Sequence, residues 1–302
     1  MSRIAAKLPE GERQAHRHLP TWLPLALLTL GPVVARAESY VTIDCPDSVS
    51  TEPRSINDRG EIVGLCEDAN GIHGFLLRHG RFALIDVPGG TGTAAFGVNN
   101  RGDIVGRYFD AADIGHGFLL RHGRFTTIDP AGSTLTLARG IDDRGRIVGF
   151  YRGSDDAIRG FLLDSSGYQD IEYPDAESSI ATGINARNQI VGGFIDTSGV
   201  PHGYLLKKRV FTSIDPPDAA GARALGINIV GHIVGGWTDD PECPDCFVKA
   251  FLLTPDGFEF FEVPDAFETV AWGINARGQI VGEYFGEDEV FHGYLRTPDH
   301  DD

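Results

Sequence analysis

Residues 273–284 read GINARGQIVGEY, and residues 183–194 read GINARNQIVGGF. Two near-copies in one chain oblige a search for more, because an undetected repeat misassigns the whole fold. The Val-Gly of each Ile-Val-Gly triplet recurs at Val63-Gly64, Val105-Gly106, Val148-Gly149, Val191-Gly192, Val234-Gly235 and Val281-Gly282. The glycines lie 42, 43, 43, 43 and 47 residues apart. Three further markers keep step with them. HGFLL-type runs begin at His73, His116, Arg159, His202, Lys249 and His292. Apolar-acidic pairs near a proline begin at Ile43, Ile85, Ile128, Ile171, Ile214 and Phe261. The third marker is a turn with Asn or Asp first and Gly or Asn fourth, the signature of a type I turn followed by a left-handed residue. It occurs as Asn57…Gly60, Asn99…Gly102, Asp142…Gly145, Asn185…Asn188, Asn228…Gly231 and Asn275…Gly278.

Each repeat thus holds four short apolar runs separated by turn residues. Four strands in about 43 residues is the size of a β-propeller blade, so the reading is an all-β, six-bladed β-propeller over residues 38–302. The first Ile-Asp marker precedes any complete repeat, and the last repeat stops without one. YVTID (Tyr40–Asp44) is therefore expected to supply the outer strand of the last blade, closing the ring and removing an exposed sheet edge. A β-solenoid of stacked hairpins is the alternative, and it would not need that offset.

The quoted stretches, each followed by HGYL, resemble the "probable extracellular repeat, HAF family". The resemblance runs over nearly all of residues 38–302 and implies an exported repeat protein with no assigned reaction. The chain departs from the His-Ala-Phe signature itself: four copies carry His-Gly-Phe or His-Gly-Tyr, Arg159 replaces one His, and only Lys249-Ala250-Phe251 keeps Ala-Phe.

Residues 1–37 form a secretory signal peptide by composition. Basic side chains precede the apolar run TWLPLALLTLGPVV, which ends at Ala35-Arg36-Ala37. The run is shorter than the roughly 20 apolar residues a membrane span requires, so no membrane span is expected in the mature chain. Removing it takes away Arg3, Lys7, Arg13, Arg17 and Arg36 against Glu10 and Glu12, moving the formal charge from −17 to −20. Such acidity repels phosphate backbones and excludes nucleic acid as a partner. The localisation implied is periplasmic or extracellular, and the chain reads as a monomer.

Charge also separates along the repeat. The loops after each second strand are acidic, and Asp110, Asp113, Asp155, Asp156, Asp239, Asp240, Glu287 and Asp288 are the candidate ligand-binding residues, for a cation such as calcium, a glycan or a basic protein. The opposite turns carry Arg59, Arg101, Arg144, Arg187 and Arg277. The two groups are expected on opposite faces. No dedicated cofactor or metal site is indicated. His73, His116, His202 and His292 share one repeat position, so each belongs to a different blade and they cannot converge on one metal; a structural hydrogen bond within the blade is expected instead. The varied position of the innermost strand holds Arg54, Phe96, Arg139, Thr182, Leu225 and Trp272, with no His, Asp or Glu cluster beside it. No catalytic residue is assigned, and a binding or interaction module is preferred to a hydrolase or lyase acting on carbohydrate or lactone at the channel mouth.

Export favours disulfides. Cys243–Cys246 is expected as a local clip in the one enlarged loop, and Cys45–Cys66 as a lock on the closing strand. Finally, Arg101-Gly102-Asp103 matches an adhesion triplet. Aligned by repeat, it is only the turn marker with Asp in a variable place.

Overall fold

The computed structural model describes residues 39–243, 246 and 248–298. The signal peptide expected over residues 1–37 lies outside them. The fold is all-β and propeller-like. Strand β1 (Ser39–Ile43) comes first, and the first full repeat follows as β2 (Ser50–Ile56), β3 (Ile62–Asp68), β4 (Gly71–Arg78) and β5 (Arg81–Ile85), an antiparallel meander paired in sequence order. The same meander recurs in every later repeat.

The strands do not form six separate sheets. Four sheets of four strands stand alone, and the second and third repeats join into one sheet of eight. The joint is a single parallel bridge between Leu135 and Gly115. A register shift between Ser133 and Leu135 in strand Ser133–Ile141 causes it, because a bulge bends its strand locally and here carries Leu135 onto the neighbouring sheet.

Two of the sequence markers prove to be one contact. Gly64 stands directly opposite Phe75 in the β3–β4 register. A Cβ at Gly64 would run into the Glu52 carbonyl and lie 2.7 Å from the Phe75 ring. The same clash awaits a Cβ at Gly106, Gly149, Gly192, Gly235 and Gly282, beneath Phe118, Phe161, Tyr204, Phe251 and Tyr294. All six rings are fully buried. The glycine of Ile-Val-Gly is the slot, and the aromatic of the HGF-type run fills it. The core then lies between neighbouring sheets: Val63 of the first repeat packs with Val98, Ile104 and Phe118 of the second. Each buried aliphatic or aromatic side chain of this kind contributes about 1.5–3 kcal/mol.

The ring closes as the sequence requires. β1 pairs antiparallel with strand Phe291–Thr297, from Ser39 opposite Thr297 to Ile43 opposite Gly293. Cys45 bonds to Cys66 on β3, with Cα atoms 6.3 Å apart. Cys243 bonds to Cys246 within its loop. The solenoid alternative is overturned by contact between the chain's two ends: the Asn275 side chain in the last repeat donates to the Asn57 carbonyl in the first, at 3.2 Å.

That bond belongs to a circle. Nδ2 of Asn57 donates to the Asn99 carbonyl, Asn99 to Asp142, Asn185 to Asn228, and Asn228 to Asn275, at 2.9–3.1 Å. Asp142 has no amide to donate. Arg146, four residues on, binds the Asp142 carboxylate at 2.6 Å and donates to the Asn185 carbonyl at 3.2 Å in its place. Each ring side chain also accepts backbone N–H bonds inside its own turn, as Asn228 does from Gly231 and His232. We expect Asn228→Ala, which deletes three such bonds at a buried position, to cost about 3 kcal/mol in urea unfolding. Asn70→Ala in an exposed loop should shift stability by less than about 0.5 kcal/mol.

Candidate binding site

The first strand of every repeat shifts register at one place, between residues 53 and 55, 95 and 97, 138 and 140, 181 and 183, 224 and 226, and 271 and 273. The skipped residues are Arg54, Phe96, Arg139, Thr182, Leu225 and Trp272. A bulge leaves one residue unpaired and re-aims its side chain, and these six line one central cavity of about 110 Å³. A collar formed by Ile56, Val98, Ile141, Ile184, Ile227 and Ile274 separates it from a second hollow of about 140 Å³ on the asparagine-ring side.

The chemistry of the chamber is aromatic and cationic. The Arg54 guanidinium lies 3.8 Å from the Trp272 ring centre, and Arg139 lies 4.7 Å from Phe96 and 5.1 Å from Trp272. Charged residues from beyond the six add to it. Glu52 precedes the bulge on β2. Glu283 stands on the second strand of the last repeat, opposite Val270. Arg54 bridges them, paired with Glu52 and 3.4 Å from Glu283. Burial and Glu52 push the Glu283 carboxyl up, against the opposing pull of Arg54. Arg107 occupies the place equivalent to Glu283 on the second strand of the second repeat, where it covers the Phe109 ring at 4.4 Å. Arg223 occupies the place equivalent to Glu52 in the fifth repeat. Burial, then Arg54 and Arg223, draw Arg139 down to about 9. Burial and Arg54 also lower Arg107.

The predicted acidic residues lie elsewhere, on the loops at the far end of the strands from the asparagine ring. They are not gathered together. The Asp110 carboxylate caps its own loop, accepting from the Ala112 and Ile114 N–H groups at 2.8 and 2.9 Å. Asp155 is clamped by both Arg159 nitrogens, at 2.9 and 2.6 Å, and held well below the usual carboxylate range by that pairing. Asp239 pairs with Lys249 at 2.6 Å, and Asp288 with His292 at 3.1 Å. Asp240 accepts from the Glu242 N–H at 2.9 Å. Asp113 and Asp156 sit at left-handed turn positions, φ 62° and 63°, and Glu287 is exposed. Among the described residues, no group of three His, Cys, Asp or Glu side chains is placed to hold a metal ion.

The repeated histidines explain this arrangement. Each bridges two carboxylates of its own sheet. Nδ1 of His73, His116, His202 and His292 meets Asp86, Asp129, Asp215 and Asp44 at 2.7–3.0 Å. Nε2 faces Asp68, Asp110, Asp196 and Asp288 at 3.1–3.5 Å. Arg159 does the same between Asp155 and Glu172. The acidic loops and the Ile-Asp marker are thus two halves of one latch. On the opposite turns, Arg59 and Arg78 hold Glu61, while Arg101 and Arg121 hold Asp103. The two charged groups occupy opposite ends of the strands. Asp103 is 3% exposed, so the Arg-Gly-Asp triplet cannot be presented to a receptor.

These features define a β-propeller whose axis holds a small cationic, aromatic chamber. No family model matches the chain, and no curated protein matches it. Among solved structures the chain is similar to AofleA from Arthrobotrys oligospora, at 12% identity and TM-score 0.50, over 87% of this chain and 84% of that one. It is also similar to a mutant Aleuria aurantia lectin in complex with Fucα1-6GlcNAc, at 10% identity and TM-score 0.51, over 82% and 93%. Trypanosoma rangeli sialidase matches at 8% identity and TM-score 0.52, over 87% of this chain and 60% of that one. At these identities the likeness is one of fold. No helix among the described residues is long and apolar enough to cross a membrane.

The latches have a pH signature. The bond to Asp86 raises His73. Burial depresses the rings of His116 and His292, but the carboxylates on either side outweigh it and both are raised. A raised histidine stabilises the fold fully below its unfolded value of about 6.5, and that contribution is lost as pH climbs through the folded value. The melting temperature should therefore fall between about pH 6 and pH 8, and His116→Phe should flatten part of that decline.

Proposed function

We propose that this protein is an exported, six-bladed propeller of the HAF-repeat type that binds a saccharide in or around its central chamber, on the face carrying the latch loops. The six-bladed reading is supported by the single bridge that joins the eight-stranded sheet, on either side of which lies one four-stranded meander. The signal-like segment over residues 1–37 and the two disulfides support export to an oxidising space, periplasmic or extracellular. The observation that carries the binding role is the chamber itself, since six bulges on six strands all aim their odd residue at one point on the axis. Bulges at such places re-aim side chains for function.

The latch-loop face offers a second element of a sugar site. Phe267 is 66% exposed and Phe291 39% exposed, and Phe285 links them with ring centres 6.4 and 4.9 Å away. Adjacent exposed aromatic rings offer a flat face against which a sugar can lay its C–H face. The Fucα1-6GlcNAc complex of the similar lectin supports a glycan as ligand class. Asp110, Asp113, Asp155, Asp156, Asp239, Asp240, Glu287 and Asp288 would then form an acidic rim, open to a basic partner or calcium as secondary ligands.

A hydrolase or lyase acting on carbohydrate or lactone is the second reading, favoured by one observation. Glu52 and Glu283 meet through Arg54, and burial raises the Glu283 carboxyl, a pair of carboxylates at one site of the kind that acid–base chemistry uses. Turnover of a glycoside or lactone panel, abolished by Glu283→Gln, would establish it.

The binding role is tested by thermal shift against a panel of neutral and acidic saccharides, because a ligand of the folded state must stabilise it. At least one saccharide should raise the melting temperature, and Phe267→Ser with Phe291→Ser should weaken that response about tenfold. A panel without any shift rejects the reading.

A further inference from the structure

We infer that the central chamber recognises an oxyanion, and that the ligand is a saccharide bearing a single carboxylate or sulfate, anchored by Arg139, Arg54 and Arg107. The inference rests on the reading of the chamber as the binding site.

The charge balance of the chamber is the first ground. Arg54, Arg107 and Arg139 lie close enough there to repel one another, beside the carboxylates Glu52 and Glu283. Burying like charges together is expensive unless each is paired. Arg54 spends Nη2 on the two glutamates, leaving its Nε and Nη1 buried without a partner. The Arg107 Nε is likewise buried and unpartnered. Arg139 rests on the Phe96 and Trp272 rings, and among the described residues no carboxylate lies within ion-pair distance of it. Ring faces hold a guanidinium flat while leaving its edge N–H groups available. That edge is the fork that matches a carboxylate or sulfate in a bidentate pair.

Size and field then narrow the ligand. A cavity of about 110 Å³ holds roughly four waters at about 30 Å³ each, which is room for a carboxylate or sulfate group but not for a whole sugar. The sugar body would stay outside the chamber, on the latch-loop face where the exposed aromatics lie. The chain's formal charge of −17 opposes any polyanion approaching from afar. At physiological salt the Debye length is about 8 Å, so a singly charged ligand reaches the chamber with little penalty and meets unscreened cations inside. The surface rejects high charge, and the axis selects for one.

The test is calorimetric titration of the whole protein, at fixed ionic strength, with four probes: inorganic sulfate, glucuronate, glucose 6-sulfate and glucose. Sulfate and both acidic sugars should bind, with glucose at least about tenfold weaker. Stronger binding of glucuronate than of glucose 6-sulfate assigns a carboxylate, and the reverse order a sulfate. Arg139→Met should cut acidic-probe affinity about tenfold and leave glucose unaffected, with melting temperature reporting that the variant folds. Arg139→Lys, which keeps the charge and loses the fork, should lose several-fold and serves if the Met variant does not fold. Equal binding of glucose and the acidic sugars, or full affinity in both Arg139 variants, overturns the inference while leaving saccharide binding intact. Sulfate binding that depends on Arg139, without binding of any sugar, supports the anion site and rejects the saccharide reading. Silence from all four probes overturns the inference.

Discussion

The structure depends on a circle of side-chain hydrogen bonds. At the start of each turn between first and second strands stands Asn57, Asn99, Asp142, Asn185, Asn228 or Asn275, and each is buried. An asparagine can accept two backbone N–H bonds through its carbonyl and still donate through its amide. No other side chain of that size ties its own turn and the neighbouring repeat at once. The single exception confirms the requirement chemically: where aspartate removes the donor, Arg146 supplies one. Because every link is satisfied only when the next repeat is in place, the ring couples local turn formation to global closure.

With the turns fixed on a circle, the inner strands converge, and crowding decides what they can carry. The glycine of each Ile-Val-Gly triplet admits a Phe or Tyr ring from the third strand, which seals each sheet. The bulge at the next position along the first strand turns one residue per repeat inward. Four of those six residues are Arg54, Phe96, Arg139 and Trp272, and their ring-to-guanidinium stacking makes the axis cationic inside an acidic protein. The acidic loops are largely occupied by His, Arg and Lys latches and so contribute less free negative charge than their composition suggests.

Much of this was legible in the sequence, and the reasons are physical. A turn that begins with Asn in five repeats and Asp in the sixth, and a glycine beneath an aromatic in all six, made the repeat, the hairpin turn and the closing strand readable, and the places of the four cysteines relative to them gave both disulfide pairings. The histidine latch was legible as a structural bond, although its two aspartate partners were not. The fusion of the second and third repeats was hidden, because it hangs on one irregularity at Ser133–Leu135. Glu283 and Arg107 were also missed. Their position holds Leu65, Arg107, Phe150, Gly193, Gly236 and Glu283 across the repeats, so no periodic signal marks it. Only the register shared with the first strand turns it toward the axis. Without it the inner strands read as poor in acids, whereas Glu52 and Glu283 in fact meet through Arg54.

The most direct test of the axis as an anion chamber is anomalous diffraction from crystals soaked in selenate. One dominant selenium peak is expected on the axis, within hydrogen-bonding distance of the Arg139 guanidinium and of Arg54 or Arg107. Selenium found only on the outer surface, with the axis holding water alone, would contradict it.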